Sequence, residues 1–351
     1  MKHHRIRVSE FGWGEGAFSS SLKRRLLHPK CFAIRLLPQR EGWSAARLGG
    51  LMQRFLSGLR DGVGFDILLI SIAMLFLIAM AGLPLVYNVL MSFQQVDMFT
   101  LGSFIRPFAG IQNYIDVVRQ PEFWLVTRNT AVFVFFSMAG QFVLGFALAL
   151  FFAQKFPGAA TIRGLFLVSW VMPGLVVGAI WSWILAGDFG VLNAILKSLG
   201  IIQSNIFWKS DPSVSIWAVI IANIWLGLAF NMLLLSVGLA GISRDLYEAA
   251  ELDGANAFQR FWTITLPMMR STIGAVLSLG LIGTLQQFDL FPAITEGGPA
   301  NTSTVAQYWS WQMSFQLYDF AKGATISVMM LVLVLFASII YVRSTRHEVR
   351  G

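Results

Sequence analysis

Six long apolar runs constrain this chain more than anything else in it. They occupy residues 67–90, 130–153, 165–186, 216–239, 271–292 and 324–342. Each matches the roughly 20 residues that a helix needs to cross a hydrocarbon core about 30 Å thick. All but one lack Asp, Glu, Lys and Arg; the run at 271–292 is clean only to Leu285, and Gln286, Gln287 and Asp289 follow. The runs are continuous rather than alternating, which predicts helices and not strands. A helix also keeps every backbone hydrogen bond internal, as lipid demands. The expected fold class is therefore an all-α membrane protein with six transmembrane helices.

Composition narrows the function classes. Hydrophobic residues make up 56% and charged residues 13% of the chain, against about 25% charged in a soluble protein. This excludes an ordinary cytosolic enzyme. A single cysteine, Cys31, excludes a disulfide framework and a multi-cysteine metal site. His3, His4, His28 and His347 all lie outside the six runs, so no histidine site is embedded in the membrane. The net charge of +8 would suggest nucleic acid in a soluble protein. In a chain this apolar it points to basic residues gathered on one side of a bilayer, and no nucleic-acid partner is expected.

That asymmetry predicts orientation. With six spans, residues 1–66, 154–164, 240–270 and 343–351 share one side and hold 20 Lys and Arg, against 6 on the other. Both termini and the loops after the second and fourth spans are expected to be cytoplasmic. The expected division is a basic N-terminal tail at 1–66, a six-helix transmembrane domain at 67–342 and a short tail at 343–351. The first tail reads as a poorly ordered segment, with a helix lying on anionic lipid as the competing reading. A cleavable signal peptide is not expected, since the first apolar run starts near residue 67 and is too long.

The loop between the fourth and fifth runs, residues 243–267, carries the most local information. Ser243 is placed as an N-cap, and Asp245 and Glu248 suit the positive end of a helix dipole. Gly254 is placed to end the helix in a left-handed conformation. Leu246, Ala249, Ala250 and Asp253 recur at helical spacing and give one small face. A second short helix is expected, with Phe258, Phe261 and Trp262 packing back and Pro267 breaking the chain. Such a helix, compact and flanked by acids, suits a cleft on another protein that offers arginine. A plain solvated loop is the competing reading.

In this loop Glu248-Ala249-Ala250, Asp253-Gly254-Ala255, Phe261, Ile264, Leu266 and Pro267 resemble the EAA motif of permeases from bacterial ABC importers. Asn129-Thr130, Arg163-Gly164, Pro173, Trp181, Gly190-Val191-Leu192-Asn193, Trp225, Asn231, Gly297-Gly298-Pro299 and Thr304 resemble the carbohydrate-uptake branch in the same order, over about residues 65–345. The chain departs from the pattern at Glu296, where a third glycine is usual, and at Asp319-Phe320-Ala321-Lys322-Gly323, where a tyrosine–glycine pair is usual.

The resemblance implies one six-helix permease subunit of a type I importer in the bacterial inner membrane. It implies a second homologous permease, a dimeric ATPase and an extracytoplasmic solute-binding protein as partners. Carried over, Glu248, Ala249, Ala250, Asp253 and Gly254 would form the ATPase-coupling helix. ATP and magnesium would belong to the ATPase. The chain itself shows no Gly-x4-Gly-Lys-Ser/Thr pattern and no catalytic constellation, so a transport subunit rather than an enzyme is expected.

Polar groups at membrane depth are the candidate substrate pathway. They are Asn223, Trp225 and Asn231 on the fourth run and Gln286, Gln287 and Asp289 ending the fifth. Trp181, Trp183 and Phe288 are further candidates for an aromatic face. A carboxylate at mid-membrane costs roughly 2.5–3.5 kcal/mol, so Asp289 is expected to meet water, a partner or the outer interface. Asparagines bonding between helices and tryptophans in interfacial belts are the competing reading. The solute reads as a sugar, alternatively as a polyol or glycerol-phosphate compound, and a non-transporting membrane scaffold or receptor is the reading from another class.

Overall fold

The computed structural model describes residues 63–103, 106–154 and 156–346. The N-terminal tail expected at 1–66 therefore lies almost wholly outside the described residues, as does the end of the C-terminal one. By internal contacts the chain divides into residues 1–75 and 76–351. The described part of the first unit is helical throughout, and the second unit is an all-helical bundle.

In chain order the main helices are α1 (Val63–Leu77), α2 (Leu83–Ser92), α3 (Gln112–Arg119), α4 (Glu122–Ala153), α5 (Ala159–Val171), α6 (Gly174–Ile184), α7 (Val191–Ser198) and α8 (Ser215–Ala240). There follow α9 (Arg244–Leu252), α10 (Ala257–Arg260), α11 (Leu266–Met268), α12 (Arg270–Leu285), α13 (Leu290–Ile294), α14 (Ala306–Trp311) and α15 (Phe320–Arg346). Among the described residues four helical stretches are long and apolar enough to cross a membrane, and two bent pairs bring the number to six if each pair is one span.

The third span departs from the expected single run over 165–186. It is α5 and α6, bent by 101° across Met172 and Pro173. Pro173 has no N–H to continue the ladder, and its ring drives Met172 into an extended conformation (φ −68°, ψ 138°). Pro84 behaves differently. A π-helical turn at Ile78–Gly82 precedes it, and helix resumes directly, so the ladder shifts its register ahead of the ring instead of breaking. The fifth span also differs from the expected 271–292. Its helix ends at Leu285, and a short helix, α13, resumes at Leu290.

The bundle centres on α4 packed along α8. Gly145 makes this possible, because a Cβ there would lie 2.7 Å from the Asn231 Cβ. Two apolar cores flank the seam. One gathers Phe133, Val177, Leu185, Ile220, Leu290 and Phe291. The other gathers Phe146, Ala149, Leu235, Met269 and Val276 beside the loop after α8. α15 packs on α2 and α14. Many large apolar side chains, such as Phe76, Leu83, Val143, Leu165 and Phe336, remain exposed, far more than a water-soluble surface tolerates.

Candidate functional site

The loop after α8 folds as a helical knob. Ser243 caps α9, its Oγ accepting the Asp245 N–H at 3.3 Å. Gly254 follows the helix at φ +81°, the left-handed region where a side chain clashes and glycine does not. Asn256 and Gln259 then form a reciprocal capping box, with bonds of 2.8 and 2.9 Å, that starts α10. A π turn at Phe261–Thr265 leads through α11 to α12, with a 69° bend at Met269. The break thus falls two residues after Pro267.

Three contacts fix the knob, two within it and one to the bundle. The Tyr247 and Thr265 hydroxyls lie 2.8 Å apart. Phe261 packs on Phe146 of α4 with ring centroids 5.6 Å apart. Arg260 pairs with Glu251. Of the three aromatics expected to pack back, only Phe261 does so; Phe258 and Trp262 are 72% and 53% exposed. Eight residues of helix-like turn from 258 to 265 cannot turn all three rings inward, and the π turn sends Phe261 alone to the core. Glu248, Ala249, Asp253 and Gly254 are exposed and Ala250 is half-buried. The face that carries the motif therefore points away from the bundle.

A cavity of about 960 Å³ lies beside the knob. Arg163, Arg244, Tyr247, Arg260 and Phe261 are among its lining residues. Arg163 is spoken for in part: its Nη2 donates to the Phe152 carbonyl at 2.9 Å, closing the last turn of α4.

The candidate pathway residues do not gather at one point. Asn223 and Asn231 are each 3% exposed, within the α4–α8 seam. Asn231 donates back to Gly227 of its own helix at 2.9 Å. Gln141 of α4 donates to the Asn223 carbonyl at 2.8 Å. The Asn223 Nδ2 and the Ser137 Oγ are buried without a partner among the described residues. Trp225 stands edge-on to Trp181, 6.3 Å between centroids. At the end of α12, Gln286 is exposed and Gln287 half-buried, and the Asp289 carboxylate lies against Gly174 at the start of α6.

One structural residue carried no chemistry in the sequence reading. Asn129 of α4 donates to the carbonyls of Asn301 and Thr304, at 3.0 and 3.2 Å. It latches the loop before α14, where Glu296, Ala300 and Asn301 all hold positive φ. The signal available was its place in the Asn129-Thr130 pair that opens the second apolar run.

Residues 141–348 match the family described as binding-protein-dependent transport system inner membrane component. The chain belongs to that family. The match spans the α4–α8 seam, the knob and α12 to α15, so the chain is a transport component and not an enzyme. It is 34% identical to the trehalose/maltose transport system permease protein MalF of Thermococcus litoralis over 243 residues, covering 69% of this chain and 81% of that one. It is 32% identical to the sulfoquinovosyl glycerol transport system permease protein SmoG of Agrobacterium fabrum, covering 69% and 78%. Among solved structures it resembles a bacterial alginate ABC transporter in complex with alginate pentasaccharide-bound periplasmic protein, with a TM-score of 0.69 at 19% identity over 84% of this chain and 97% of that one. At that identity the likeness concerns the fold, which is the permease fold of ABC importers.

Proposed function

We propose that this permease forms half of the pathway of an ATP-driven importer for a neutral sugar, and that α9 is the helix through which a cytoplasmic ATPase moves it. The observation that carries the reading is the knob itself. Its acidic and small residues face outward, while Tyr247, Phe261 and Thr265 bind it to α4 and to the approach to α12. A push on such a knob is transmitted to the helices as rigid-body rotation rather than absorbed by a slack loop. Glu248 would meet a basic group on the ATPase, Ala249 and Ala250 would allow close approach, and Gly254 would permit the turn.

The partners in this reading are a second homologous permease, the ATPase dimer with its ATP and magnesium, an extracytoplasmic solute-binding protein and the surrounding lipid. The termini and the knob lie on the cytoplasmic side of the inner membrane. Swinging a pathway from 1:99 to 99:1 between its two states takes about 5.5 kcal/mol of differential binding. ATP and the binding protein acting over several contacts can supply that, and a single sugar contact cannot. Asn223, Trp225, Asn231, Gln286, Gln287 and Asp289 stay the proposed pathway groups. The two asparagines would have to leave the α4–α8 seam in another state to serve.

The sugar rests on the relatives' transport names. A polyol or a glycerol-phosphate compound, the latter charged, is the second reading, favoured by the glycerol in the name of SmoG. The absence of Lys and Arg from the six apolar runs weighs against the charged compound, since an anion in a pathway is met by cations. The test is reconstitution of the chain with its companion permease, ATPase and binding protein in vesicles. ATP-dependent uptake of labelled maltose or trehalose is expected, and Glu248→Ala is expected to abolish it with the complex still assembled. Uptake unchanged by that substitution, or no neutral sugar taken up at all, would overturn the reading.

A further inference from the structure

A second chemistry sits at the end of the bundle opposite the knob. There the end of α2, residues 307–315 and the start of α15 enclose a cavity of about 370 Å³. Rings and neutral polar groups share its wall: Phe288, Trp311 and Phe315 with Asn88, Gln307 and Ser314. None of the residues lining it is Asp, Glu, Lys, Arg or His.

The rings are held in place. Phe288 and Trp311 have centroids 5.6 Å apart. Buried Tyr308 stacks on Trp311 at 5.5 Å and 21°, which backs the indole. Trp311 and Phe315 lie on either side of the start of a π turn at Gln312–Gln316, a feature common at functional sites. Neighbouring hydroxyls are already used: Ser310 bonds both Ser327, at 2.7 Å, and the Gly323 carbonyl, at 2.9 Å. The side chains of Asn88, Gln307 and Ser314 bond no other group among the described residues, which leaves two amides and a hydroxyl to face the cavity.

Each alternative ligand class lacks its partner here. A cation would want a carboxylate, an anion would want a guanidinium or ammonium, and an acyl chain would leave amides unsatisfied. A sugar offers what the wall asks for, namely a rim of hydroxyls that both donate and accept and an apolar C–H face to lie on a ring. We propose that this cavity is a saccharide subsite, separate from the pathway groups on α8 and at Gln286 and Gln287. It lies on the face where a binding protein would release its cargo. Its size, near the lower end of the ~300–1,000 Å³ range of ligand pockets, suits a mono- or disaccharide. The proposal rests on the sugar-import reading for its ligand, and its test can fail separately.

The test uses the full complex in vesicles and a diazirine-bearing maltose. Illumination is expected to label peptides containing Asn88 or residues 307–315, with unlabelled maltose displacing the label. Gln307→Leu and Asn88→Leu are each expected to lower labelling about tenfold, the scale set by losing a hydroxyl partner. Ser314→Ala, the mildest change, should lower it less and guards against misfolding. Labelling confined to other segments, or not displaced by maltose, would overturn the subsite. So would wild-type labelling in all three variants. If the wild type transports no sugar, the import reading fails, and the labelling pattern still decides whether the cavity binds one.

Discussion

The Tyr247 hydroxyl on α9 meets the Thr265 hydroxyl at the end of the π turn, 2.8 Å away and eighteen residues on. Together with Phe261 against Phe146, it makes the knob and the entry to α12 one mechanical piece. Tyr247→Phe keeps the ring and removes the bond. A bond worth about 1 kcal/mol sets a ceiling of about fivefold on the change. We predict that ATP hydrolysed per sugar imported rises within that limit while the melting temperature barely moves. An unchanged ratio, measured in the same vesicles, would show that the bond carries no stroke.

Gly254 holds φ +81° with open space around it. Any substitution cost there is backbone strain rather than a clash with neighbours. Gly254→Val should cost about 1–2 kcal/mol at the end of α9, and Gly254→Asn less, because asparagine tolerates that region. Retention of the ATPase on purification is the readout. The expected order is Gly, then Asn, then Val, and a valine variant that retains the ATPase as well as the parent would refute it.

Gly145 and Gly283 give a paired test of the central seam. An added Cβ at Gly145 would meet the Asn231 Cβ at 2.7 Å and the Met232 amide nitrogen at 3.1 Å, whereas at Gly283 it meets nothing within 4 Å. Gly145→Ala should destabilise the purified chain by about 1–3 kcal/mol through overpacking. Gly283→Ala should be neutral or stabilising, since alanine favours helix. Thermal unfolding in detergent distinguishes them, and equal melting temperatures would mean that α4 and α8 are not in close register.

Glu248 and Glu251 are both acids on α9 with different tasks. Glu251 pairs with Arg260, its side chain still 59% exposed, and exposed pairs contribute less than about 1 kcal/mol. Glu251→Gln should leave uptake and assembly near normal. Glu248→Gln should uncouple ATP hydrolysis from uptake. Reversed results in a coupled ATPase and uptake assay would move the docking contact to Glu251.

Much of the knob was legible in the sequence because its signals are local. A capping serine and a left-handed glycine act within a few residues, so reading Ser243 and Gly254 required no knowledge of the bundle. The aromatics were not legible in the same way. Phe258, Phe261 and Trp262 look alike in sequence, and only the register imposed by the π turn and the surface of α4 selects Phe261.

Residue chemistry alone determined that this chain spans a membrane several times, because lipid forces long uncharged runs into helices whatever surrounds them. Only tertiary packing decided that Asn223 and Asn231 are held in the α4–α8 seam. Packing also brought Asn88, Phe288, Gln307 and Trp311 together around one cavity. Asn88, Phe288 and the Gln307–Trp311 turn lie far apart along the chain, and no short-range rule acts over such a separation. Their meeting follows from how the helices fill space against one another.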